Sequence, residues 1–271
     1  MDKRKGKPFL EVFSSALHED YRFPILEIFA FLYVLGTLAL TNLGGVLGSQ
    51  GNATAEAVAS RTVTSALSLS LFVFLILIFK NIAFGLGSDL EKGIVQTYFS
   101  YPLKRSRILT AKLLSAVGVS IALFLGIQIL ALYILAPGIV LPHLGTILLT
   151  YTANLAYPLI ITGVLLLMAL LFRRGALTLV IGIVLYFAVS IASGIVSVIA
   201  FATNSSLPLQ ILSLFTPSTI LNQYYSSTLS TFSLTWAPTF SDVLLTIGAS
   251  YVIAGVLFAL GYYYFSRRLN L

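Results

Sequence analysis

Six long apolar runs separated by short polar stretches set the layout of this chain. They cover residues 24–43, 62–84, 113–135, 146–172, 176–202 and 243–265. About 20 apolar residues are enough for a helix to cross the hydrocarbon of a bilayer, so the pattern predicts six transmembrane helices. Residues 8–23, ahead of the first run, are amphipathic. Leu10, Phe13, Leu17 and Tyr21 share one helical face and Glu11, His18 and Arg22 another. Such a helix lies in the membrane interface as an elbow before the first span. Residues 203–242 are too long for a bare loop and too apolar for open water. Thr216-Pro217 reads as a helix start, followed by Ile220, Leu221, Tyr224 and Tyr225 on one face. Phe232, Trp236 and Phe240 suit the headgroup level. An outer re-entrant or interfacial segment is expected there, serving either as a gate or as a lid that packs the spans. The expected fold is all-α: one polytopic membrane domain over residues 1–271.

The long charged stretch between the second and third runs, Gly85 to Lys112, interrupts this pattern. Ser88-Asp89-Leu90-Glu91 reads as a capping box, with serine and glutamate each satisfying the other's backbone amide. It predicts a short helix over 88–101 with Leu90, Ile94 and Tyr98 stacked on one face. Pro102 ends that helix, because the preceding residue is pushed out of helical geometry. Ser106 is placed to cap the next helix.

Composition and charge narrow the class. The chain is 58% hydrophobic and 9% charged, with a mean hydropathy of +0.98. Soluble domains carry about 25% charged residues. The net charge of +7 is therefore not a nucleic-acid footprint. The basic residues sit at the ends of the runs, where they set topology. With both termini inside, fifteen of the sixteen Lys and Arg lie on the cytoplasmic side and Arg61 alone lies outside. Lys80 is placed to snorkel to the inner surface. There is no cysteine, hence no disulfide, thiolate metal site or cysteine nucleophile. The basic start, residues 1–7, reads as a tail near anionic lipid rather than a cleaved leader. The sequons at Asn52 and Asn204 both fall in outer loops and are possible glycosylation sites.

Glu91 and Gly93, then Tyr101-Pro102-Leu103, Lys104-Arg105, Arg107-Ile108 and Lys112, resemble the signature of type-2, export-type ABC transporter permeases. The close match is confined to this stretch; span number and layout agree over the whole chain. The resemblance implies that residues 88–101 form a cytoplasmic coupling helix docked into a partner ATPase. Leu90, Glu91, Gly93, Ile94, Thr97 and Tyr98 would then carry the coupling, with Arg105 and Arg107 as electrostatic contacts. It also implies a second permease copy or paralogue, membrane lipid around both, and ATP with Mg in the ATPase rather than here. The location implied is the plasma membrane.

Missing motifs point the same way. There is no Gly-x-x-x-x-Gly-Lys-Ser/Thr phosphate loop and no His-Glu-x-x-His. No catalytic site is expected in this chain. Few ionisable residues sit mid-span, which weighs against ion-coupled transport. Gln128, Asn154 and Tyr157 are mid-span polar candidates for a translocation path, or else hydrogen-bond partners between helices. The reading is an ABC permease subunit working by alternating access. The alternatives are a non-transporting membrane anchor or assembly partner of an ATPase, or an ion-coupled secondary carrier.

Overall fold

A computed structural model describes residues 8–47, 54–99, 103–135, 137–227 and 236–268. The expectations at residues 1–7, Asn52, Tyr101, Pro102 and Phe232 lie outside the described residues. The helices, in chain order, are α1 (Pro8–Asp20), α2 (Ile25–Leu47), α3 (Ala55–Glu91), α4 (Ile94–Phe99) and α5 (Arg105–Leu135). After the single helical turn Pro137–Val140 they continue as α6 (Leu144–Phe172), α7 (Gly175–Thr203), α8 (Leu207–Ser213), α9 (Ser218–Ser227) and α10 (Phe240–Arg267). No strand occurs among the described residues. Five helices, α3, α5, α6, α7 and α10, are each long and apolar enough to cross a membrane. A sixth arises if α1 and the Ile25–Leu38 part of α2, bent by 63° at their junction, count as one span. The chain is an all-α, membrane-spanning protein.

Helices run past the edges that hydropathy alone sets. The second span begins at Ala55, not 62, and continues to Glu91, not 84; the third begins at Arg105, not 113. The capping box at Ser88 does not form. Asn81–Gly87 is a π-helical segment, and the Ser88 amide bonds the Ala83 carbonyl five residues back. Ser88 therefore sits inside α3 with helical angles, and its amide needs no cap. The break comes later, at Gly93, whose φ of 71° is left-handed and suits glycine. Beyond it lies the six-residue α4, in place of a single helix over 88–101. Likewise α5 is capped by extended Lys104, leaving Ser106 one residue inside the helix. A second π-helical segment, Leu114–Val119, lies within α5.

The core gathers α2, α3, α5 and α6. Phe74 stacks on Phe124 with ring centroids 4.7 Å apart, and Tyr33 meets Phe124 edge-on at 5.5 Å. By contrast, α7 is packed mainly at its ends. Gly175, Thr178, Gly182 and Ala200 are buried, while Val184, Ile191 and Val198 are exposed. Its closest backbone packing occurs where α7 starts. There the Gly87 and Gly175 backbones touch: a Cβ on Gly87 would stand 3.1 Å from Gly175 Cα, and one on Gly175 2.7 Å from the Ala83 carbonyl.

The bundle has two unlike poles. The end of α3, the start of α5, the start of α7 and the end of α10 meet α1 and α4 at one pole, which holds nearly all the charge. Phe99 meets Phe265 there, and Tyr262 donates to Thr110 at 3.1 Å. At the other pole Ala57, Ala153, Ile220, Leu221, Tyr225 and Val243 form a small apolar cluster with Trp236 packed against it.

Candidate functional site

The basic pole is held by α1. The face expected to be apolar, Leu10, Phe13, Leu17 and Tyr21, is rotated. Val12, Ala16 and Asp20 are buried and Leu10 is exposed. The reason is that α1 lies against protein: Val12, Ile108 and Ala111 form a buried cluster flanked by Phe13, Tyr98 and Phe99. The small Ala16 and the polar Asp20 thereby turn inward.

Asp20 is 2% exposed and accepts from the Ser115 hydroxyl at 2.5 Å. Burial pushes its carboxyl up to about 6, against the Ser115 hydrogen bond and the charges of Lys80 and Lys112. Lys80 does not reach for solvent as a snorkelling lysine would. Its ammonium donates to the Asp20 carbonyl at 2.6 Å and to Asn81 Oδ1 at 3.1 Å. Next to it, the Tyr21 hydroxyl bonds the Ser115 carbonyl at 3.0 Å and Ser120 Oγ at 2.8 Å, and Asn81 donates to it at 3.2 Å. The partners of α1 lie on or beside the two π-helical segments, where the widened turn frees backbone and turns side chains toward α1.

Lys112 is the second anchor. It is buried, and its ammonium meets Asp89 at 2.7 Å, Glu19 at 3.0 Å and the Gly85 carbonyl at 3.2 Å. It also lies 5.2 Å from the Tyr98 ring. Three helices, α1, α3 and α5, thus share one cation. A cavity of about 10 Å³, the size of one water probe, lies between Asp20, Asn81, Gly85 and Lys112.

The residues singled out from sequence divide around this node. Leu90 is buried, whereas Ile94 is 37% exposed and Tyr98 is half-buried, because Gly93 breaks the register between the first two. Val95 takes the inward place instead. Thr97 bonds the Ile94 carbonyl at 2.6 Å. Arg105 stacks over Phe99 at 4.6 Å, and Arg107 is exposed. Glu91 accepts from the Gly175 amide at 3.1 Å. It so caps the N-terminus of α7, whose first amides have no partner within the helix. A groove of about 490 Å³ opens here, lined by His18, Glu19, Arg22, Asp89, Ile94 and Tyr98.

The mid-span candidates do not converge. Gln128 is fully buried, donating to Thr37 at 2.6 Å, with Tyr151 within 3.5 Å of its oxygen. Asn154 donates to the Thr150 carbonyl of its own helix at 2.8 Å. Tyr157 reaches the Tyr186 carbonyl at 3.4 Å. Each makes a contact within or between helices. The fully buried Tyr33 hydroxyl has no partner among the described residues. At the other pole, Asn204 is the left-handed residue that ends α7.

Sequence reasoning missed Asp20, Asn81 and Ser115, read Tyr21 only as part of an apolar face, and placed Asp89 in a cap. The available signal was the cluster of isolated polar residues at the ends of apolar runs. No family model matches this chain, and comparison with curated proteins returns no match.

Proposed function

We propose that this chain is the membrane permease subunit of an export-type ABC transporter, driven by a separate ATPase that binds the basic pole. The observation that carries the reading is α4. It is rooted by buried Leu90 and Val95, lies beside α1, and presents Ile94 outward in the stretch that resembles the permease signature. A residue exposed at a packed junction is suited to a partner's groove. On this reading the node works mechanically. A push on α4 reaches α7 through Glu91 and the Gly87–Gly175 contact, and reaches α1 and α5 through Lys112. Helices tied this way move as bodies between inward and outward arrangements. The exposed apolar flank of α7 is where a second permease copy would sit. The excess of Lys and Arg at the basic pole favours the cytoplasm for that pole and for both termini.

Ile94→Asp tests the reading. Burying an isoleucine is worth about 1.5–3 kcal/mol, and about 1.4 kcal/mol is tenfold in affinity. The exposed position makes folding of this chain insensitive to the change, so co-purification of the ATPase should fall at least tenfold. Glu91→Gln retains an acceptor for the Gly175 amide and should assemble normally. Assembly and ATP hydrolysis at wild-type levels in Ile94→Asp would remove the support for a docking helix.

A further inference from the structure

The pole away from the basic residues has a cavity of its own. It opens to the surface and offers about 460 Å³ between α8 and the start of α10, within the range of small-ligand pockets. Leu207, Ile211, Leu214 and Leu245 give it an aliphatic wall, Trp236 and Asp242 stand beside that wall, and the neutral polar Gln210, Ser213 and Thr246 fill the rest of the lining. Among the described residues, Asp242 is the sole formal charge in the lining, which has no lysine or arginine.

The Asp242 carboxylate is only partly occupied. One oxygen accepts from the Thr239 amide at 2.8 Å and the Thr239 hydroxyl at 2.7 Å, closing the capping box that starts α10. The other oxygen has no partner among the described residues, and the side chain is partly open to water. An aspartate in contact with water is ionised at neutral pH. An indole attracts cations through its ring face, most strongly where water is partly excluded, and aromatic rings are the usual partners of quaternary ammonium heads. Trp236 is half-buried against the apolar cluster of this pole. A free carboxylate oxygen, an indole and an aliphatic wall therefore line one cavity without an opposing cation. Anions find no basic partner there, and a neutral apolar ligand leaves the carboxylate unused.

We propose that this cavity is a binding site for amphiphilic monovalent cations, with Asp242 and Trp236 taking a quaternary ammonium head and the Leu207–Ile211–Leu214–Leu245 wall taking the apolar body. The site is independent of ATPase docking at the basic pole, and its test involves no ATPase.

Trp236 is the one tryptophan of the chain, so indole emission reports on this cavity alone. The full chain, purified in an uncharged maltoside detergent, is titrated with dodecyltrimethylammonium, and binding is measured in parallel by equilibrium dialysis of the labelled probe. A saturable emission change with one bound probe per chain is expected. The uncharged tert-butyl counterpart should bind at least tenfold more weakly. Asp242→Asn keeps an acceptor for the Thr239 amide and should weaken the ammonium probe at least tenfold. Leu245→Arg leaves the cap intact and places a cation in the wall; it should abolish saturation. A linear, non-saturating response in wild type, or equal affinity for charged and uncharged probes, overturns the proposal. So does retention of wild-type affinity by both variants.

Discussion

The two poles of the bundle are built on opposite rules. At the basic pole, partners distant in sequence meet through charge: Lys112 with Glu19 and Asp89, Lys80 with the Asp20 carbonyl, Glu91 with the Gly175 amide. At the opposite, aromatic pole the long-range contacts among the described residues are apolar or made by neutral hydroxyls, as where Thr150 donates to Ser60 Oγ at 3.2 Å. Ser250 donates to the Leu214 carbonyl at 2.7 Å, and Tyr251 to the Thr152 carbonyl at 3.0 Å. The difference teaches where rigidity comes from in each half. A buried charge deprived of its partner is costly, so the basic pole is an all-or-none junction. A neutral hydroxyl lost from the aromatic pole costs about 0.5–1.5 kcal/mol, so that end can rearrange in small steps.

Membrane sidedness gives the largest effect. The chain has no native cysteine, so single cysteines report cleanly. Cysteines at Gln96, by the basic pole, and at Asn204, by the other, should label from opposite sides of an intact cell membrane, Asn204 from outside. Labelling of both from one side would dissolve the distinction between the poles.

Next in size is Lys112→Met. Removing one member of a buried ion pair typically costs about 3–5 kcal/mol. Asp89 is left buried and unpaired, whereas Glu19 is already 42% exposed and can rehydrate. The thermal unfolding temperature in nanodiscs should drop sharply. Lys112→Met combined with Asp89→Leu should recover part of the loss. Equal losses in the single and double variants would mean that the pair is not what holds the junction.

Gly175→Ala probes the α3–α7 crossing. Its Cβ would stand 2.7 Å from the Ala83 carbonyl, a backbone atom that cannot swing aside. Overpacking of this kind costs about 1–3 kcal/mol. Gly194→Ala, with nothing within 4 Å of the new atom, is the control and should be neutral or better in the same unfolding assay. Similar results for both would place the rigid contact elsewhere.

A graded effect is a pH dependence confined to the basic pole. Burial holds the Asp20 proton to about pH 6, against an ordinary value of 3.8. The folded state therefore binds more proton between those values. Stability is undiminished by this group below the ordinary value and is lost as pH rises toward about 6. Hydrogen exchange in α1, corrected for its intrinsic pH dependence, should speed up between about pH 4 and 6.5. Asp20→Asn should flatten that change, and exchange at the start of α10 should not follow it. An unchanged profile in Asp20→Asn would assign the titration to another group.

The hydropathy runs located the long helices well, because their centres carry the apolar excess that a bilayer demands. Their edges were less legible. Ser88 and Ser106 have the chemistry of caps, but a cap is needed only where a helix starts, and the π-helical segment carries α3 through Ser88. Pattern alone could not signal that a widened turn would keep the helix going. Only Gly93 among these residues acts as a stop, through its left-handed backbone.

The candidate site was legible in part. The stretch from Gly85 to Lys112 stood out because it is charged between apolar runs, and Gly85, Asp89 and Lys112 do meet at one junction. Which of them turn inward was not legible. Leu90 is buried and Ile94 is not because one residue between them breaks the helical register.

By itself the sequence determined the helical class, the membrane-spanning character and the crowding of charge at one end. Those depend on the transfer cost of backbone and charge into hydrocarbon, which is set by local composition. Tertiary structure alone decided the partners. Glu19 lies 93 residues from Lys112, and Glu91 84 residues from Gly175. Such pairs form because helix packing encloses them together in a low dielectric, and no local pattern encodes which distant carboxylate a buried lysine will meet.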